Sequence, residues 1–133
     1  MKTKLLLVDD DSSVAAALTD ALGGEGFDVK LAFNGHQAVA IYRRIRVDIV
    51  LLDLNMPVKN GWDTFERLNS INPLLPIIII TGRPDQSALA EAAGVAALME
   101  KPLAIPVLLE TIRAALAEPA EVRLARIAGP GSR

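Results

Sequence analysis

Cysteine is absent from the 133 residues. No disulfide, zinc–thiolate site or thiol nucleophile can therefore be built, and a reducing cytoplasm is the expected setting. Histidine occurs once, and aromatic residues make up 4% of the chain. His36 falls on the polar side of a helical segment and reads as a solvated residue, not a ligand. Trp62 and Phe65 read as core, not as a stacking platform. An excess of one charge is missing too. A net charge of −2 offers no general attraction for nucleic acid, and Arg43, Arg44 and Arg46 read as a solvated helix end too small to argue for DNA binding. The longest apolar run, Pro76 to Thr81, is far too short to span a bilayer, and Met1-Lys2-Thr3-Lys4 leads into a strand without a signal peptide's longer apolar region. No internal repeat is present. With 51% hydrophobic residues, the expectation is one soluble domain with a proper core.

The stretch Val47 to Leu54 is an apolar, β-branched run that reaches a carboxylate at Asp53. Breakers Pro57, Asn60 and Gly61 follow, and then a helical pattern. Apolar strands of this kind are covered on both faces, and their carboxyl ends open onto the binding crevice of α/β sheets. Asp53 is thus expected at the mouth of the sheet, its oxygens facing solvent. Lys4 to Val8 is a second such run, ending on Asp9-Asp10-Asp11. Phe27 to Leu31 alternates apolar and charged residues, as a half-exposed edge strand does. Pro76 to Thr81 and Val95 to Met99 complete five strands.

Helical stripes lie between them. Val14, Ala17, Leu18, Ala21 and Leu22 form the first, capped by Asp11 or Ser12. Ala38, Ile41, Tyr42 and Ile45 form the second, after a capping box at Asn34 to Gln37. Trp62, Phe65 and Leu68 mark a third, and an alanine-rich segment from Pro84 to Gly94 a fourth. Ile105, Leu108, Leu109, Ile112 and Leu116 mark the fifth. The alternation predicts an α/β fold: a doubly wound, five-stranded parallel sheet with five helices on both faces, in the flavodoxin-like order 2-1-3-4-5. Residues 1–118 are read as the domain. Residues 119–133 are read as a tail or linker, partly disordered, in which Glu121 to Ala128 could prolong the last helix.

Four strand ends carry polar groups that could meet: Asp9-Asp10, Asp53, Thr81 and Lys101. Two carboxylates ~4 Å apart repel by about 4 kcal/mol at an effective dielectric near 20. Three in one crevice need a proton, a divalent cation or Lys101. An all-oxygen set suits a hard ion, and Mg²⁺ is the intracellular choice. A carboxylate so placed can attack phosphorus to give an acyl phosphate, provided the transferred oxygens are neutralised and the donor held in line. Lys101 and the Thr81 hydroxyl suit that task. Taken singly, each group has a plainer reading: Asp11 or Asp48 as a cap or turn former, Thr81 as a strand end, Lys101-Pro102 as a loop.

Leu7-Val8-Asp9-Asp10, Leu52-Asp53-Leu54-Asn55-Met56-Pro57 with Gly61, Ile80-Thr81-Gly82 and Glu100-Lys101-Pro102 together resemble the receiver domain of two-component response regulators, over about residues 4 to 118. The resemblance implies a phosphorylation-dependent signalling switch rather than an enzyme. Asp53 matches the phosphoryl acceptor, supplied by a histidine kinase or phosphotransfer protein. Asp10, Asp53 and the Asn55 main-chain carbonyl match the Mg²⁺ ligands, with Asp9 acting through a bound water. Thr81 matches the switch hydroxyl and Lys101 its ion-pairing partner, followed by a cis Lys101–Pro102 peptide. Arg83 occupies a position that modulates dephosphorylation. Leu98 stands where an aromatic is common, so rearrangement of the fourth helix, fifth strand and fifth helix must use aliphatic repacking. That face is expected to meet an output domain or partner protein, and a phosphorylation-dependent homodimer is one mode. Neither direct nucleic-acid binding nor membrane association is expected.

Two other readings compete. A haloacid-dehalogenase-like, Mg²⁺-dependent phosphohydrolase would use Asp9 as nucleophile and Asp11 as acid, with Thr81 and Lys101, but it leaves Asp53 without a role. A receiver-like module that is never phosphorylated would not need Asp53, Thr81 and Lys101 together.

Overall fold

A computed structural model describes residues 2–54, 61–82 and 94–128. The loop expected after Asp53, with Asn55, Met56, Pro57 and Asn60, lies outside the described residues, as do Arg83 and the segment expected as the fourth helix.

Five strands form one parallel sheet: β1 (Lys4–Val8), β2 (Asp28–Ala32), β3 (Ile49–Asp53), β4 (Ile77–Thr81) and β5 (Ala97–Glu100). Their order is β2-β1-β3-β4-β5, as the sequence pattern predicts. Every pairing is parallel. Five helices are described: α1 (Ser12–Gly23), α2 (Gly35–Arg44), α3 (Gly61–Ile71), α4 (Ile105–Ala117), which is the segment read as the fifth, and α5 (Ala120–Ala128).

Strand alternation sends neighbouring residues to opposite faces, and each face has its own core. Leu6, Val8, Val50, Leu52, Ile77 and Ile79 pack with Ala38 and Val39 of α2 and Phe65 and Leu68 of α3. Leu5, Leu7, Ile49, Leu51, Ile78 and Ile80 pack with Leu18 and Leu22 of α1 and Leu108 and Ile112 of α4. The three central strands are thus buried on both sides, which explains their continuous apolar sequences. Truncating one of these leucines or isoleucines to alanine would cost about 2–5 kcal/mol. In contrast, β2 is only half-buried along most of its length, consistent with its alternating pattern at a sheet edge.

Local chemistry sets the helix starts. Asp11 caps α1, its Oδ1 accepting from Ser13 N at 3.0 Å and Val14 N at 3.1 Å. Asn34 caps α2 through Gln37 N at 2.8 Å, and Gln37 Oε1 reaches back to Phe33 N at 2.8 Å, a reciprocal arrangement displaced one residue from the usual box. Trp62 and Phe65 meet edge-to-face with centroids 5.7 Å apart; Trp62 is half-buried and Phe65 buried, so both belong to the core. His36 is exposed on α2.

Two expectations need correction. The buried face of α1 is Ala15, Leu18 and Leu22, whereas Val14 is 38% exposed and Ala17 is exposed as well; the helix turns the side centred on Leu18 and Leu22 into the core with Leu5 and Leu7. The segment 121–128 does not prolong α4. Glu118 is extended, with φ −63° and ψ 127°, because the Pro119 ring excludes the helical conformation from the residue before it. The chain then restarts as α5.

Candidate functional site

The sheet register builds the site. Val8 pairs with Leu52, so the next residues, Asp9 and Asp53, are lateral neighbours at the carboxyl edge. Asp53 pairs with Ile80, and Thr81 with Glu100, so Thr81 and Lys101 stand one step further along the same edge. Carboxylate oxygens of Asp9, Asp10 and Asp53 lie within 4.8 Å of one another. Lys101 Nζ donates to Asp53 Oδ2 at 3.2 Å, and its main-chain N–H donates to Thr81 O at 2.8 Å. The Lys101–Pro102 peptide is cis.

Burial is uneven. Asp9 and Asp53 are each only 3% exposed and Thr81 is fully buried, while Asp10 is exposed. The expectation that Asp53 faces solvent is therefore corrected: it sits at the end of the sheet but is enclosed by its neighbours. Burial is the largest cause that raises the Asp9 carboxyl from 3.8 to about 6. The Asp11 N–H bonded to its Oδ1 at 2.9 Å opposes this. The Asp53 charge adds to the rise, Lys101 partly offsets it, and a hydrogen bond with Asp53 adds a last increment. Among the described residues the crevice holds three acids against Lys101, an arrangement that favours a proton or a cation. Three oxygen-bearing acids, two buried and one exposed, fit a hard divalent ion with one side open to water.

The plainer readings hold for two acids. Asp11 spends its carboxylate on the α1 cap. Asp48 accepts from Lys4 N at 2.8 Å and pairs with Arg46 at 3.3 Å, at the opposite end of the sheet. With Asp11 turned to its helix, the acid required by the phosphohydrolase reading is not assembled. Leu98 is half-buried and packs against the core shared with α2 and α3. Asn55 and Arg83 lie outside the described residues.

The sequence reading gave Gly61 as a breaker and as a motif residue, and the structure adds a packing reason for it. A Cβ on Gly61 would lie 2.6 Å from Leu54 Cα and 2.9 Å from Asp53 O. Only glycine lets α3 begin directly against the strand that carries Asp53. A second group escaped the sequence reading. Arg123 and Arg126 both contact Glu118, far from Asp9, Asp10 and Asp53; their i, i+3 spacing is visible in the sequence, but the path of the chain after Pro119 that brings them onto Glu118 is not.

Comparison with known proteins agrees with this geometry. Residues 5–113 match the family model of the response regulator receiver domain. Over 122 residues the chain is 38% identical to the transcriptional regulatory protein ZraR of Salmonella typhimurium, covering 90% of this chain and 28% of that one. Over 128 residues it is 38% identical to the DNA-binding response regulator MtrA of Mycolicibacterium paratuberculosis, covering 92% and 56%. The chain thus spans about half or less of these relatives. A CheY-like response regulator receiver domain protein from Methanospirillum hungatei superimposes with a TM-score of 0.84 at 27% identity, covering 92% of this chain and 98% of that one. The response regulator TrrA from Thermotoga maritima, solved with Mg²⁺ and BeF, shares the fold at 23% identity with a TM-score of 0.79, covering 86% and 99%. Since the family match extends over most of the sheet and the acidic edge it carries, the chain belongs to the response regulator receiver domain family.

Proposed function

We propose that this chain is a phosphorylation-dependent switch that accepts a phosphoryl group on Asp53 from a histidine kinase or phosphotransfer protein in the cytoplasm. The observation that carries this reading is the convergence of Asp9, Asp10 and Asp53 within 4.8 Å together with the Lys101–Asp53 contact of 3.2 Å. An Asp53 oxygen attacks phosphorus as the bond to the donor's imidazole nitrogen breaks, and the imidazole leaves with that electron pair. Lys101 neutralises one transferred oxygen, and the Thr81 hydroxyl binds another once it turns toward the crevice. Asp10, Asp53 and the Asn55 carbonyl would hold Mg²⁺, with Asp9 orienting a water; when bound, the ion supplies charge neutralisation for the transfer. Arg83 is assigned to shielding the acyl phosphate from water.

Beside the site, Val14, Ala17, Leu18, Pro102 and Ile105 line a groove of about 550 Å³ together with Lys101. Because it shares Lys101 with the acceptor, this groove is where the phosphodonor protein docks. Output follows from a two-state change. A shift from 1:99 to 99:1 needs about 5.5 kcal/mol, which two or three new charge-assisted hydrogen bonds of ~1.5–3 kcal/mol each supply. The face of β5 and α4, with half-buried Leu98 repacking, carries the change to an output domain, a partner protein or a second copy of the chain. The expectation that the protein does not bind nucleic acid is not supported, because the relative MtrA is a DNA-binding response regulator. Among the described residues no helix is long and apolar enough to cross a membrane.

Incubation with acetyl phosphate tests the proposal by intact-protein mass. One labile phosphoryl group appearing only with Mg²⁺ is expected; an unlabelled protein under both conditions would overturn it.

A further inference from the structure

Two arginines on α5 reach the far end of the sheet from the acids. Arg123 Nη1 donates to Leu74 O at 2.9 Å, and its Nη2 donates to Ala115 O at 3.0 Å and Glu118 O at 3.3 Å. Arg126 Nε donates to Gly94 O at 3.3 Å. Both guanidinium groups contact the Glu118 carboxylate. These side chains are only 15% and 25% exposed, and that of Glu118 20%, far more enclosed than an ordinary surface pair. Each carbonyl has a meaning in the fold. Ala115 O lies in the last turn of α4, where helix carbonyls lack intrahelical donors. Leu74 lies in the turn that enters β4, and Gly94, at φ +78°, in the turn that enters β5.

We infer that α5 is a clamp: Arg123 and Arg126, joined through Glu118, hold the entry turns of β4 and β5 together, and so set the spacing of the two strands whose other ends carry Thr81 and Lys101. The folded unit then extends past residue 118, and the segment taken for a linker is part of the receiver. Two hydrogen bonds between these strands report on the clamp. Ala96 N to Ile77 O, 2.9 Å, lies beside the entry turns, and Lys101 N to Thr81 O, 2.8 Å, lies at the site. Releasing Arg126 frees Gly94 and lets the start of β5 open locally, a sub-global event of the kind amide exchange resolves. The part of this inference that concerns switching rests on the phosphorylation reading; the clamp itself does not.

The test uses the full chain and Arg126→Ala, with Arg126→Lys keeping the charge but not the fork of donors. Amide exchange at Ala96 should rise about tenfold or more in Arg126→Ala, as loss of a charge-assisted bond requires, with Leu5 to Val8 unchanged. Arg126→Lys should lie between the two. Lys101 exchange should rise by a smaller factor, and Mg²⁺-dependent beryllofluoride affinity should shift at least about threefold. Unchanged exchange at Ala96 in Arg126→Ala would overturn the clamp. A rise at Ala96 with neither Lys101 exchange nor beryllofluoride affinity altered would overturn its link to the site. Failure of the unaltered chain to bind beryllofluoride would count against the switch reading alone, and the exchange result would then decide the clamp.

Discussion

The two ends of the sheet solve opposite electrostatic problems. At the carboxyl end, among the described residues, Asp9, Asp10 and Asp53 crowd beside Lys101, and such a cluster of acids favours a proton or a cation. At the amino end, Lys2, Lys4, Arg46 and Arg123 surround a cavity of about 460 Å³ with only Asp48 among the lining acids, and Glu118 lies between two arginines. The register gathers acids at the first end; at the second, Asp48 and Glu118 pair with Arg46, Arg123 and Arg126 and fasten the chain. A single sheet thus keeps its two clusters of charge apart, and the interiors of the three central strands between them are apolar.

The largest effect expected at the reactive end is that of Asp53→Asn. Labelling by acetyl phosphate, followed by intact mass, should vanish while the fold survives, since the change removes a repulsive charge and no packing. Next comes Lys101→Ala, which should slow labelling about 10²-fold, the usual cost of losing one group that stabilises developing charge; stopped-flow or quenched labelling would measure it. Its effect on stability should be small, because Lys101 is one-third exposed and solvent screens the pair.

A pH titration of metal-free stability separates the two ends by sign. Asp9 binds its proton more tightly folded, at about 6, than unfolded, at 3.8. Its favourable contribution is therefore full below about 3.8 and lost as pH rises through about 6, an order of 2–3 kcal/mol. Asp9→Asn should remove that loss. Glu118 behaves oppositely: the hydrogen bond from Arg126 leads the causes that hold its carboxyl below 4.5, and partial burial opposes them. Its contribution is present above 4.5 and is lost as pH falls through the lowered folded value, a slope that Glu118→Gln should abolish. Denaturant midpoints from pH 3 to 8 would show both. The smallest effect belongs to Arg113→Ala. The Arg113–Glu25 pair at 3.4 Å is exposed on both sides, so chemical denaturation should change by less than about 0.5 kcal/mol.

Much of the reactive end was legible in the sequence because strand ends locate themselves. Apolar runs ending on Asp9-Asp10, Asp53, Thr81 and Lys101 need only a parallel sheet of known order to meet, and the alternating β2 segment gave the edge that fixes that order. The burial of Asp53 was not legible, because a strand's sequence says where its side chains point but not what closes over them. The raised proton affinity of Asp9 was not legible for the same reason, since burial is its leading cause. The α1 stripe was misplaced because Leu18 and Leu22 fit a face flanked by either Ala15 or Val14 and Ala17, and packing against the sheet selects the Ala15 side. The fastening end was the least legible. Its bonds run from guanidinium groups to main-chain carbonyls, which every residue carries, so no pattern of residue types announces them. The signal that was present, Pro119 directly after Glu118, marks a break but not where the chain goes afterwards.

The account depends on which carboxylate becomes phosphorylated. After reaction with acetyl phosphate and Mg²⁺, borohydride reduction of the acyl phosphate followed by peptide mass mapping reads that residue directly. Modification confined to Asp53 is the predicted result; modification of Asp9, with Asp53 untouched, would contradict it.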